Sequence, residues 1–184
     1  MQFTTAAKLL AEFLGTAMIV AGVIGAGFMV ATLGAGFPLG LTMIAATVAA
    51  VLFVSISILG PVSGAHFNPA VTIAFLLRKA ISSAAAAGYI ASQVVGAIFG
   101  AVVANLMFEV PWLEISATGR FSAGTFLGEV VATFGLVLLI LLLVQFEKSH
   151  LIAASVAAWI FAGHIFTSST SFANPAVTIG RVFS

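Results

Sequence analysis

The sequence predicts an all-α membrane protein, a bundle of apolar spanning helices in two inverted halves, each half carrying a short re-entrant helix. Three observations predict it. Of 184 residues, 62% are hydrophobic and only 6% charged. The hexapeptide Asn-Pro-Ala-Val-Thr-Ile occurs twice, at 68–73 and at 174–179. Glu12 and Thr16 form Glu-x-x-x-Thr near the start, and Glu129 and Thr133 repeat it later.

The elements follow in order. A spanning helix needs roughly 20 apolar residues, and no Asp, Glu, Lys or Arg occurs between Phe13 and Ala65. That stretch holds two spans, 5–31 and 38–60, separated by the breakers Gly34, Gly36 and Pro38. A short helix begins at Asn68. Asparagine is a strong N-cap, and Pro69 at the first helical position loses nothing, because that N–H has no intrahelical partner. Arg78 and Lys79 end it. At 1.5 Å per residue, about 10 residues cover roughly half of a 30 Å hydrocarbon core. The segment therefore re-enters rather than crosses, which is tolerated only where protein or a water-filled cavity satisfies the backbone. Three further spans follow at 82–107, 125–146 and 150–167, and a second half-helix starts at Asn174. Ala84, Gly88, Ser92, Gly96 and Gly100 recur every four residues in the third span, and Gly124, Gly128 and Ala132 begin the same stripe in the fourth. Small residues so spaced let helices approach closely in lipid.

Three spans precede the second half, so its topology is inverted relative to the first. Residues 1–107 form the first repeat, 108–124 an extracellular connection, and 125–184 the second repeat. Lys8, Arg78, Lys79 and Lys148 fall on one side, while Glu109, Glu114 and Arg120 lie in the connection. The basic side is cytoplasmic by the positive-inside rule, which places the N-terminus inside. The chain has no cysteine, and its net charge of +1 gives no case for nucleic acid. No nucleophile–base pair, metal cluster or phosphate loop is present, so neither an enzyme nor a cofactor is expected.

Inverted repeats with broken helices are a membrane-transport architecture. A proton-coupled secondary transporter would need a titrating acid near its substrate, and Glu12 and Glu129 are the candidates. Acids within spans mark function by default. They either bind a coupling proton or accept hydrogen bonds from loop N–H groups and hold the re-entrant loops.

Ser63-Gly64-Ala65-His66-Phe67-Asn68-Pro69-Ala70-Val71-Thr72, paired with Asn174-Pro175-Ala176, closely resembles the major intrinsic protein (aquaporin and aquaglyceroporin) family. So do Ala11-Glu12-Phe13-Leu14-Gly15-Thr16 and Gly88-Tyr89-Ile90-Ala91-Ser92-Gln93-Val94-Val95-Gly96. The resemblance covers essentially the whole chain. It implies an aquaporin-like bundle of six spans plus two half-helices, a homotetramer in the lipid bilayer, and one passive pore per subunit for small neutral solutes. In the pore so implied, Asn68 and Asn174 are expected to meet at the midplane, cap their own half-helices and point amide N–H groups into the channel. Facing helix N-termini oppose cations there. The resemblance favours loop scaffolding for Glu12 and Glu129. It also places His66 on the cytoplasmic half of the pore, against the alternative of a hydrogen-bonded loop histidine. His164, without ligand partners, is expected to be structural rather than a metal site.

The chain departs from the family at the residue after the second Asn-Pro-Ala, where an arginine is usual and Val177 stands here. Counting back from the asparagines carries the other constriction positions onto Val48, Ala162 and Ser171. Small or apolar groups at all four imply a wide, weakly polar aperture suited to glycerol, urea or metalloid hydroxides such as arsenous acid. The segment 166–179 looks like the bacterial branch associated with arsenic-resistance operons, which suggests a bacterial inner membrane. Arg181 lies one turn past Val177. It would reach the constriction by leaning toward the helix N-terminus, but the extracellular mouth is its expected place. The sixth span expected by symmetry is missing before Ser184. This is read as a fragment of a longer product, with a truncated non-conducting subunit as the alternative.

Overall fold

A computed structural model describes residues 3–119 and 121–184. Arg120, counted above in the connection, lies outside the described residues. The helices are α1 (Thr5–Thr32), α2 (Phe37–Ser63), α3 (Pro69–Leu77), α4 (Ser83–Met107), α5 (Ala123–Gln145), α6 (Ile152–Phe166) and α7 (Pro175–Gly180). Short 3-10 turns at Ser149–Leu151 and Arg181–Phe183 lead into α6 and follow α7. Five helices, counting the turn before α6 with it, are long and apolar enough to cross a membrane.

Sequence chemistry sets most of the ends. The side chains of Thr4, Ser82 and Ser122 accept backbone N–H bonds at the starts of α1, α4 and α5, and Ser122 forms a capping box with Thr125. α2 runs past its expected end at Gly60, through Pro61, to Ser63. It stops at Gly64, whose φ of 90° suits a residue without Cβ. α3 and α7 both begin at the Pro of Asn-Pro-Ala, with the Asn oxygen capping the first turn.

α1 packs most extensively on α4, and the small-residue stripe is the reason. A Cβ on Gly96 would lie 2.4 Å from the Phe13 carbonyl oxygen, and one on Gly100 would lie 2.4 Å from that of Ala17. The stripe in α5 does a different job from the one expected. Gly124 and Gly128 admit the hydroxyls of Ser168 and Ser169 from the loop before α7 rather than a facing helix. α5 instead meets α6 where Trp159 covers Gly135 and donates from Nε1 to the Ala132 carbonyl (2.9 Å). Many large apolar side chains, Phe126, Leu127 and Phe134 of α5 among them, face outward. For a chain with a lipid environment, that inverts nothing about folding.

Candidate functional site: a passage between two capped half-helices

The loops entering α3 and α7 are built alike. Phe67 and Ala173, each immediately before an asparagine, hold φ of 47° and 48°. Left-handed backbone at a bulky residue such as Phe67 is unfavourable unless its surroundings enforce it. A glutamate enforces it in each half. Glu12 accepts from the N–H of His66 (3.0 Å) and of Phe67 (2.7 Å). Glu129 accepts from the N–H of Phe172 (2.9 Å) and of Ala173 (2.7 Å). Glu12 also receives Ser63 Oγ (2.6 Å) and Gln93 Nε2 (2.8 Å). Gly15 leaves the space that the Phe67 ring fills.

This conformation carries each loop to the opposite half. Asn68 Nδ2 donates to the Ala173 carbonyl (2.7 Å), and Asn174 Nδ2 donates to the Phe67 carbonyl (2.8 Å). Each asparagine oxygen meanwhile caps its own helix, Asn68 on Ala70 N (2.9 Å) and Asn174 on Ala176 N (3.0 Å). An amide nitrogen has two protons. One of each pair crosses between the halves, and the other is left for whatever occupies the space alongside.

That space is a cavity of about 600 Å³ lined by both asparagines. α1, α2, α5 and α6 wall it with residues such as Ile19, Val48, Leu136 and Ile160. Among the described residues no Asp, Glu, Lys or Arg lines it. Neither Glu12 nor Glu129 is in the wall; Glu12 is fully buried behind the first loop. All three histidines of the chain, His66, His150 and His164, line the cavity.

His66 combines the two readings left open for it. It faces the cavity, and its Nδ1 lies 3.1 Å from Thr72 Oγ1. Thr72 Oγ1 also accepts from Gln93 Nε2 (2.9 Å). In the contact with His66 either the hydroxyl or Nδ1 can be the donor, according to the tautomer of the imidazole. His164 Nδ1 lies 2.8 Å from the Ile160 carbonyl, so that nitrogen carries the proton.

Of the four constriction positions carried over by counting, Val48, Ser171 and Val177 line the cavity. Ala162 does not: it is exposed on the outer side of α6. Ile160 and His164, two residues to either side of it, face the cavity instead, and two residues turn a helix by about 200°. The nearby polar group in the wall that spacing missed is His164. His164 adds an imidazole to the wall that Val48, Ser171 and Val177 share. The Ser171 hydroxyl is turned against Gly163 and has no hydrogen-bond partner. Pro69, Ala70, Pro175 and Ala176 are absent from the cavity wall and act through the helix starts they build. Arg181 does not reach back to the cavity. It borders a separate space of about 440 Å³ with Glu114, Ser116 and Phe28, beneath the connection between α4 and α5.

A family model described as Major intrinsic protein matches residues 1–184. The aquaglyceroporin AqpS of Rhizobium meliloti is 42% identical over 183 residues, covering 100% of this chain and 78% of its own. Glycerol uptake facilitator protein-like 6 of Lactiplantibacillus plantarum is 36% identical over 141 residues, and this chain spans 62% of its length. The aquaporin NIP3-1 of Arabidopsis thaliana is 38% identical over 143 residues, and this chain spans 43% of it. Among solved structures, the aquaglyceroporin from Plasmodium falciparum matches with a TM-score of 0.81 over 96% of this chain and 79% of that one, at 24% identity.

Proposed function

The chain belongs to the major intrinsic protein family, a family of channels, and on that premise we propose that it forms a passive transmembrane channel for small neutral solutes. The observation that carries the reading is the reciprocal bonding of Asn68 and Asn174 beside a cavity that, among the described residues, no Asp, Glu, Lys or Arg lines. A solute passing the asparagines accepts hydrogen bonds from two amide donors. A cation there meets amide protons and two helix N-termini and finds no carboxylate.

Glycerol and metalloid hydroxides such as arsenous acid are the proposed solutes, with water passing beside them. The support is Val177 and Val48 in place of bulky or charged groups, together with two relatives named as an aquaglyceroporin and a glycerol uptake facilitator-like protein. A proton-coupled transporter is disfavoured because the acids within its spans hold loop N–H groups and stand outside the cavity wall. The proposed setting is a bacterial inner membrane with the N-terminus cytoplasmic and a homotetrameric assembly. Lys8, Arg78, Lys79 and Lys148 support the orientation.

Stopped-flow light scattering of vesicles carrying the protein tests the proposal. Volume recovery in glycerol faster than in empty vesicles is the expected result. Recovery no faster than in empty vesicles, for water and every solute alike, overturns it.

A further inference from the structure

The proline inside α2 carries an inference of its own, and it rests on the channel reading above. A proline has no N–H to give the carbonyl four residues before it, and its ring pushes that carbonyl aside. Pro61 lies within α2, so the carbonyl deprived of its helical donor is that of Ser57. We propose that Pro61 opens a solute-binding station in the passage, where the carbonyl and hydroxyl oxygens of Ser57 accept hydrogen bonds from a polyol or another neutral solute with several hydroxyls. Ser57, Gly60, Pro61 and Gly64 all line the cavity. Their spacing puts them on one face of the helix. A helical carbonyl points along the axis toward the residue four places on, so the Ser57 carbonyl lies on that face, next to the Pro61 ring. Gly60 beside it has no side chain to cover it, and a Cβ there would come no closer than 3.9 Å to Ala65. Ser57 itself is exposed.

The hydroxyl of the same residue is an acceptor too. Ser57 Oγ donates its proton to the Phe53 carbonyl (2.6 Å), which leaves its lone pairs to the cavity. No side chain among the described residues donates to either oxygen. A proline-freed carbonyl within a span is tolerated only where protein or a water-filled cavity satisfies it, and the cavity is what this face of α2 meets. Leu52, Ile56 and Ile152 in the same wall offer hydrocarbon side chains only. A polyol that sheds its water there needs wall acceptors in its place. The asparagines supply amide donors, and the end of α2 supplies acceptors. A hydroxyl both donates and accepts, so a polyol satisfies the two stations in turn. In the proposed orientation the Ser57 station stands in the cytoplasmic half.

The test measures glycerol and water permeability of vesicles carrying wild type, Pro61→Ala or Ser57→Ala. Alanine at 61 returns the missing N–H and closes the carbonyl. Alanine at 57 removes the hydroxyl. Each variant should lower the ratio of glycerol to water permeability about two- to tenfold, the worth of one hydrogen bond. An unchanged ratio in Pro61→Ala overturns the inference, including the case in which both permeabilities fall alike, as a merely straightened helix would make them. Should a variant not fold, spectra of the wild type still decide. Ser55 and Ser57 are the two serines followed by isoleucine, so carbon-13 at serine carbonyls with nitrogen-15 at isoleucine reports these two carbonyls alone. Glycerol should shift the Ser57 carbonyl resonance and leave that of the buried Ser55 in place. A Ser57 carbonyl indifferent to glycerol, or two carbonyls that move alike, overturns the inference. A wild type that conducts neither water nor glycerol refutes the channel reading instead, and a glycerol-dependent shift at Ser57 alone would then still support the station.

Discussion

Glu12 and Glu129 occupy matching positions but carry unequal loads. Four donors converge on Glu12, two of them backbone N–H groups, while two backbone N–H groups define Glu129. A buried donor without an acceptor costs about 1–3 kcal/mol, so Glu12→Ala should destabilise the protein more than Glu129→Ala. Thermal unfolding in detergent measures the order, and equal midpoints for the two variants would refute it. Val177 invites a second substitution. It lies in the wall beside Val48, and Val177→Arg should place a long cation there. Permeation of arsenous acid and glycerol should drop while water is spared. Unchanged metalloid uptake by vesicles bearing this variant would reject the wide-aperture argument. Residue roles were legible where they depend on local geometry: Asn-Pro announces a capped helix start in any context. His164 was not, because its place depends on the length of the loop joining α6 to α7. The Gln93–Thr72–His66 chain was also hidden, since it ties α4 to α3 and the loop before it.

Elements show where small residues are indispensable. Gly96 and Gly100 seat α4 directly on the backbone of α1, whereas Gly27 has nothing within 4 Å of where a Cβ would stand. Gly100→Val should force the two helices apart and cost about 1–3 kcal/mol as overpacking. Gly27→Ala should be neutral or gain up to about 1 kcal/mol from helix propensity. Unfolding midpoints of the two variants compared with wild type check the contrast, and a neutral Gly100→Val would refute the close-approach account. The α4 stripe could be read from the sequence because a four-residue repeat lies along one helix face. What the α5 stripe packs against could not, since glycine spacing does not distinguish a facing helix from the serines of a loop. All five spans could be predicted to within a few residues, because unbroken apolar runs bounded by Gly, Pro or charge leave few alternatives.

At the scale of the whole molecule, the cavity wall bears on energetics. Among the described residues the wall of the passage holds no carboxylate, lysine or arginine, and its three histidines are the titratable groups there. Glycerol uptake into vesicles should be unchanged when a protonophore collapses an imposed pH difference. Gradient-driven accumulation above the outside concentration would establish coupling and reject a passive channel. The inverted arrangement was legible because the motifs that mark it are duplicated. The bonds that join its two halves were not, since a hydrogen bond spanning more than a hundred residues leaves no local trace.

Those two bonds have a consequence for how such a molecule came to exist. The amide of Asn68 is completed by Ala173, and that of Asn174 by Phe67, so neither half owns a finished centre. A solitary ancestral half would have had to insert in both orientations, its copies embracing head to tail across the bilayer. With both halves in one polypeptide that embrace needs no second copy, and each side is free to differ, as the surroundings of Glu12 and Glu129 do.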